Sequence, residues 1–155
     1  MPFLFYMNSQ KSIPFEIIHL NDEGYHLKIK SIINNISIDL IVDTGASQSA
    51  FDIHFIQDNL SELEIIKAEQ ISSGLGTNTM ESYECELDFF QIGDLKLENY
   101  KAALLDLSHV NQTYAKLDIP NIQGVLGNDV LLKYNALIDY KNKQLWLSDD
   151  QKQIL

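Results

Sequence analysis

Cysteine and basic side chains are scarce in this sequence. Cys85 is the only cysteine among 155 residues, so the chain cannot form an internal disulfide or a cysteine cluster for a metal. This scarcity favours a reducing, cytoplasmic location. Lys and Arg number 11 against 22 Asp and Glu, and the resulting net charge of -11 argues against nucleic acid or an anionic membrane as a partner.

Long apolar runs and metal-binding patterns are missing as well. No stretch approaches the roughly 20 apolar residues that a membrane-spanning helix needs. The apolar start MPFLFYMNSQK lacks a preceding basic residue and a following cleavage site, so it is a poor secretory signal. The histidines are scattered, and we expect neither a metal nor another cofactor: His19, His26, His54 and His109.

Short alternating segments fill the first part of the chain. FEIIHL, YHLKIKSI and ISIDLIV are separated by the turn-forming NDEG and NN, which predicts three antiparallel strands between Phe15 and Val42. The last of these strands becomes continuously apolar before Asp43, as is typical of a strand that enters the core. SAFDIHFIQDNL then predicts a short strand followed by a short helix.

The remainder of the chain is also rich in β-strand patterns. Residues 64–107 predict two long hairpins, with the loop SSGLGTNT between strands and a turn at Gly93-Asp94. The polar residues 108–121 predict a surface loop. A strand ending at Leu126, a helix of about two turns from near Asn128 and a hairpin with KNK at its tip follow. We therefore expect a single all-β domain over residues 1–155, with one or two short helices.

The segment LIVDTGAS places a carboxylate directly after an apolar strand. Such a carboxylate is costly to bury unless it is paired, hydrogen-bonded or protonated. Thr44 offers a hydroxyl, and Gly45 lets its backbone N–H approach the Asp43 carboxylate without a Cβ in the way. The tripeptide is therefore suited to fixing one carboxylate, although the same residues are also common in ordinary turns.

Two motifs in the chain resemble those of aspartic proteases. LIVDTGAS resembles the active-site motif, and residues 124–131 resemble the second motif, in which Val125, Leu126 and Gly127 would pack beneath the catalytic loop. LIDYKNKQLWL resembles the hairpin that commonly follows. Because the chain has one Asp-Thr-Gly, it is similar to the retroviral type, over roughly residues 22–148. The resemblance implies a closed, barrel-like β fold with one lobe per chain.

This resemblance implies an aspartic endopeptidase that cleaves peptides or proteins. Asp43 would be the catalytic residue, and three neighbours would support its loop: Thr44, Gly45 and Ala46. Residues 72–79 would form a flap over the substrate, in which four residues are expected to bind it: Ser73, Gly74, Leu75 and Gly76. Taken alone, the segment is better explained as a plain glycine-rich hairpin tip, but its position and order relative to the two motifs favour the flap. Retroviral enzymes often have an aspartate after this motif, whereas Ser47 and Gln48 stand here, so substrate anchoring is expected to differ.

A single Asp43 supplies only one of the two carboxyls that the mechanism uses. One carboxylate takes a proton from water, and one protonated carboxyl polarises the peptide carbonyl. Three other aspartates lack a following Thr/Ser-Gly and are poor candidates: Asp52, Asp129 and Asp139. We therefore expect a homodimer with a second Asp43 across a two-fold axis. Family members commonly interleave terminal strands, so the candidate interface segments are PFLFYM and QLWLSDDQKQIL. PFLFYM belongs to an N-terminal arm or strand over residues 1–20, for which packing on its own domain is an equally good alternative.

Two alternatives stay open at this point. A non-catalytic relative that dimerises or binds peptides would have nearly the same sequence, but the presence of Asp, Thr and Gly together favours catalysis. A β-barrel binding or scaffold protein in which Asp43 only caps a turn does not explain the Val-Leu-Gly match. Residues 1–20 and 108–121 lie outside a minimal retroviral-type core, where they could reshape or block the cleft.

Overall fold

The structure, a computed structural model, describes residues 10–68 and 81–149. The segment 72–79, predicted as the flap, lies outside the described residues, as does the interface candidate PFLFYM. Within the described ranges, no helix has the length and apolar character required to cross a membrane.

Four strands form the first part of the described chain: β1 (Gln10–Pro14), β2 (Glu16–His19), β3 (Tyr25–Ile33) and β4 (Ile36–Val42). The three predicted strands are confirmed as β2, β3 and β4, which pair in antiparallel order. Asn34 and Asn35, with φ of 42° and 68°, form the two-residue turn between β3 and β4. Positive φ at both central residues matches the turn that favours a tight hairpin.

The predicted strand-then-helix unit is confirmed, as is the second of the two long hairpins predicted over residues 64–107. The loop and part of the strands predicted for the first hairpin lie outside the described residues. The elements are β5 (Ala50–Asp52), α1 (Ile53–Asn59), β6 (Ile66–Lys67), β7 (Tyr83–Ile92) and β8 (Leu95–Leu105). β7 and β8 pair in register from Tyr83↔Leu104 to Ile92↔Leu95, so the chain reverses at Gly93-Asp94 as predicted. β6 contributes only a short pairing with the start of β7.

The prediction of a surface loop at residues 108–121 was wrong, because helix α2 (Ser108–Lys116) lies there. Most of its side chains face solvent, which gives the segment its polar composition. Tyr114 is only 1% exposed and packs with partly buried Val110 and Leu117 in a small apolar cluster that includes Ile41 of β4. These three residues are spaced as on one face of a helix. The segment is polar overall, so its composition did not indicate this single apolar face.

The last elements follow the predicted order. They are β9 (Gly124–Leu126), α3 (Asn128–Leu131), β10 (Leu137–Asp139) and β11 (Gln144–Ser148). Helix α3 is shorter than the predicted two turns, since it ends at Leu131. In the described chain β1 pairs with all of β11, and β10 pairs with Gln144–Trp146 on its other edge. Residues 144–146 of the second interface candidate therefore have no open edge for a partner's sheet.

Six strands close into a barrel that surrounds the main core. Their order is β3-β4-β9-β5-β8-β7, and pairing of β7 with β3 at Ile33↔Phe90 completes the ring. Fully buried side chains fill the interior from every wall: Ile33, Leu40, Phe51, Leu87, Phe90, Leu104 and Leu126. The fold is thus mainly β with a closed barrel, as predicted, and the described residues contain three short α-helices and one 3-10 turn (Asn21–Glu23).

Candidate active site

The two motifs of the sequence meet where β4 and β9 end side by side. These strands run parallel, with Leu40 opposite Gly124 and Val42 opposite Leu126. On the other side of β9, β5 pairs in the antiparallel direction. Residues 43–49 therefore leave the barrel from β4 and return through β5, so they span the end of β9. They are here called the catalytic loop, after the prediction that Asp43 is the catalytic residue.

Asp43 is the first residue after β4 and is exposed in the single chain. The Gly45 N–H donates a hydrogen bond of 2.8 Å to Asp43 Oδ1, as the sequence predicted. A Cβ on Gly45 would lie 3.2 Å from the same oxygen, so a larger residue would crowd the carboxylate. The loop also closes on itself, because the Ala46 N–H donates to the Asp43 carbonyl at 3.2 Å. The local backbone thus holds one carboxylate at the protein surface.

The backbone carbonyls of Thr44 and Ala46 are held by Asn128, the residue after Gly127 in the second motif. Asn128 Nδ2 donates to the Thr44 carbonyl at 2.7 Å. The Asn128 backbone N–H donates to the Ala46 carbonyl at 2.9 Å. The Thr44 backbone is therefore fixed by a side chain from α3, while the Thr44 side chain lies at the exposed tip of the loop.

Leu126 and Gly127 lie directly beneath the catalytic loop, whereas Val125 lies within β9, between Ile41 of β4 and Ala50 of β5. Leu126 is fully buried, and its carbonyl accepts the Asp43 N–H at 2.9 Å. A Cβ on Gly127 would lie 2.7 Å from the Gln48 carbonyl carbon and 2.9 Å from the Ala46 oxygen. Only glycine allows the loop backbone to approach this closely.

A buried polar group beneath the loop was missed by sequence reasoning. Ser49 donates to Asp129 Oδ1 from its backbone N–H at 2.8 Å and from Oγ at 2.7 Å. The Tyr100 hydroxyl donates to Asp129 Oδ2 at 3.2 Å. Burial, followed by the Asp129 carboxylate, raises the pKa of Tyr100 above its ordinary value. The position of Asp129, two residues after Gly127, was a sequence signal that could have identified it. Tyr100 is far from both motifs in the sequence and contacts Asp129 only through the tertiary structure.

The other candidate aspartates hold backbone elsewhere in the chain. Asp52 Oδ1 accepts the Leu107 N–H at 3.1 Å in the interior. Asp139 accepts the side-chain and backbone N–H groups of Asn142 at 2.7 and 3.0 Å, and the side-chain bond holds the pKa of Asp139 below its usual range. Each of these carboxylates has a local structural role. Among the described residues, no group of three His, Cys, Asp or Glu side chains is placed to hold a metal ion.

A family model described as aspartyl protease matches residues 29–130, which is more than half of the chain. The chain belongs to the aspartyl protease family. The matched range contains residues 43–49, Val125, Leu126 and Gly127 of the second motif, and the barrel strands except for the first residues of β3. The family match and the geometry therefore concern the same part of the chain. No curated protein matches the sequence.

Solved structures show that this member of the aspartyl protease family has a retropepsin-like fold. EIAV protease complexed with the inhibitor HBY-793 is 15% identical, with 79% of this chain and 99% of that chain covered and a TM-score of 0.52. The retroviral protease-like domain of Ddi1 from Leishmania major is 14% identical, with 81% and 90% covered and a TM-score of 0.51. A retropepsin-like aspartic protease from Rickettsia conorii is 24% identical, with 89% and 92% covered and a TM-score of 0.49.

Proposed function

We propose that the chain is an aspartic endopeptidase whose active form is a homodimer with two Asp43 carboxyls, one from each subunit. The observation that carries this proposal is the Asp43 carboxylate, fixed by the Gly45 N–H and exposed at the surface of the single chain. A carboxylate in this position is accessible to a second copy of itself. Membership of the aspartyl protease family supports the same reaction.

The chemistry of the site follows from two carboxyls that share one proton. Aspartic proteases are the best-known example of this behaviour, since two carboxylates about 3 Å apart do not both ionise easily. The ionised Asp43 takes a proton from water as the oxygen attacks the peptide carbonyl. The protonated Asp43 of the other subunit donates to the carbonyl oxygen, which stabilises the charge that develops there. Proton transfer to the amide nitrogen then releases the amine product.

Local contacts support the need for two chains. Asp52, Asp129 and Asp139 each accept backbone N–H groups, so they are committed to holding structure. A second chain would supply its own Asp43, whose carboxylate is held by its loop in the same geometry. The two-fold symmetry of a homodimer brings identical loops together without any additional residue type.

The substrate proposed for this site is an extended peptide or protein segment. Main-chain hydrogen bonds would supply affinity and apolar pockets would select side chains. Residues 72–79 remain the proposed flap, with Ser73, Gly74, Leu75 and Gly76 closing over the peptide. Ser47 and Gln48 are exposed on the catalytic loop, where they would contact the peptide in place of an aspartate.

The proposal is tested by incubating the protein with a complex peptide mixture and identifying new termini by mass spectrometry, over about pH 4 to 7. Asp43→Asn is compared with Asp106→Asn, which changes an exposed carboxylate whose partners in the described chain are Ser108 and His54. Cleavage by the wild type and Asp106→Asn, with none by Asp43→Asn, is expected. Equal patterns from all three folded proteins would favour a non-catalytic dimerisation or peptide-binding module.

A further inference from the structure

Asp129 is a half-buried carboxylate beneath the catalytic loop, and the proposed reaction gives it no chemical role. Its Oδ1 accepts both the N–H and the Oγ–H of Ser49, at 2.8 and 2.7 Å. Its Oδ2 accepts the Tyr100 hydroxyl at 3.2 Å. Both oxygens are therefore engaged by groups of the same chain, so Asp129 acts through its neighbours and not on a substrate.

Ser49 extends these contacts to the second motif. Its side chain is almost fully buried, and because Oγ donates to Asp129 it can accept the Gly127 N–H, at 2.9 Å. Gly127 in turn lies against the loop backbone at Ala46 and Gln48. One carboxylate thus connects the end of the catalytic loop, the glycine beneath it and a barrel strand.

Tyr100 gives this group a rigid base. Its ring packs against Phe90 and Phe51 in the barrel, with ring centroids 5.1 and 6.4 Å apart. Burial and the nearby Asp129 carboxylate raise the pKa of Tyr100, so the phenol stays protonated and remains a donor at any pH at which the enzyme would work. The polar group is consequently attached to the main hydrophobic core.

We propose that Asp129 is a positioning residue that fixes the catalytic loop through Ser49 and Gly127. Its contacts therefore affect the turnover rate and not the affinity for substrate. The consequence for turnover rests on the proposed peptidase function, whereas the attachment of the loop does not. Small displacements of a reacting group, on the order of 1 Å, can lower a rate about 100-fold. Supporting residues that lock a catalytic side chain therefore affect the rate without touching substrate.

The attachment is tested by amide hydrogen exchange of the full chain, followed by NMR at Ser49 and Gly127. Asp129→Ala removes every acceptor and should accelerate exchange at both amides by about 10-fold or more relative to a core amide such as that of Leu87. Asp129→Asn retains one oxygen that can accept from Ser49, so it should restore most of the protection. Ser49→Ala provides a second test if Asp129→Ala does not fold, because it should accelerate exchange at Gly127.

Asp106→Ala is a matched control for this comparison. Asp106 accepts the N–H and Oγ–H of Ser108 at 2.9 and 2.5 Å, the same pair of bonds that Asp129 makes with Ser49. It does so at an exposed turn before α2, so its removal should leave exchange at Ser49 and Gly127 unchanged. Unchanged exchange at these amides in Asp129→Ala, or in Ser49→Ala at Gly127, would overturn the attachment.

Kinetics test the effect on catalysis. For Asp129→Ala we expect kcat to fall about 10-fold or more while KM changes less than about 2-fold, with Asp129→Asn recovering most of the loss. Faster loop exchange with an unchanged kcat would overturn the positioning role. If the wild type shows no cleavage that depends on Asp43, the proposed function and its consequence for turnover both fail, and the exchange data still decide whether Asp129 holds the loop.

Discussion

The backbone N–H of Asp43 donates a 2.9 Å hydrogen bond to the carbonyl of Leu126. This bond joins two motifs that are distant in the sequence and brings the end of β4 against the end of β9. The start of the catalytic loop is consequently attached to the ends of β4 and β9, and this fixes the position of the Asp43 backbone.

Gly127→Ala should lower both stability and activity. A Cβ at this position would meet the backbone at Gln48 and Ala46 at 2.7 and 2.9 Å, and the backbone cannot rotate away as a flexible side chain could. We expect a loss of about 1 to 3 kcal/mol in the free energy of unfolding. Urea denaturation and peptidase assays would measure the two effects.

Gly24→Ala is the comparison for that variant. Gly24 has φ of 109° and open space around it, so alanine there adds backbone strain without a clash near the catalytic loop. Activity per folded molecule should fall in Gly127→Ala and stay constant in Gly24→Ala. Equal activity of the two folded variants would show that Gly127 does not shape the loop.

Tyr114 should account for most of the attachment of helix α2 to the barrel. Its hydroxyl lies 2.5 Å from His26 Nδ1 of β3, and its ring belongs to the apolar cluster with Ile41. Tyr114→Phe should cost about 0.5 to 1.5 kcal/mol through the lost hydrogen bond. Tyr114→Ala should cost about 3 to 5 kcal/mol through the cavity it leaves. Equal urea midpoints for these two variants would contradict a packed α2.

Stability should decrease in alkaline solution because the Cys85 thiol is buried. Burial raises the pKa of Cys85 from 9.0 to about 11. The folded state therefore keeps the proton more strongly than the unfolded state, so stability is complete below pH 9 and decreases as pH rises toward about 11. The expected loss from this group is roughly 2 to 3 kcal/mol. Urea titrations of wild type and Cys85→Ala at several pH values should show a shallower decrease in the variant, and parallel curves would refute this cause.

Dilution should reduce activity more steeply than the concentration of chains. If the active form is a dimer that dissociates, the fraction of chains in dimers falls as the protein is diluted. Activity per chain measured over a wide concentration range should therefore decline at the low end, together with the dimer fraction from analytical ultracentrifugation. Constant activity per chain in a range where the protein is monomeric would contradict a shared active site.

Local patterns were sufficient to predict most strands and the Gly45 N–H bond that holds the Asp43 carboxylate. Alternating residues and the Asn34-Asn35 and Gly93-Asp94 turns define hairpins through contacts between near neighbours, which sequence reading captures well. Helix α2 was missed because its buried face consists of a few residues, chiefly Tyr114, within a polar segment. The length of α3 was overestimated, because its apolar residues continue beyond the point where the helix ends.

The supporting residues of the site could not be predicted in the same way. Tyr100 in β8, Ser49 at the end of the catalytic loop and Asp129 in α3 come together only through the tertiary structure. Asp129 was considered only as a rival catalytic carboxyl, and its contacts instead indicate a supporting role. A role of this kind depends on distances between distant segments, which periodicity does not contain.

The most direct test of a shared dyad is to mix wild type with Asp43→Asn at a constant total chain concentration, after unfolding and refolding them together. If each active site needs one Asp43 from each subunit, activity should follow the square of the wild-type fraction, so an equal mixture retains about one quarter of the activity. Exchange of subunits is verified by mass-labelled chains. Activity that falls in direct proportion to the wild-type fraction, to about one half, would contradict a catalytic site made by two chains.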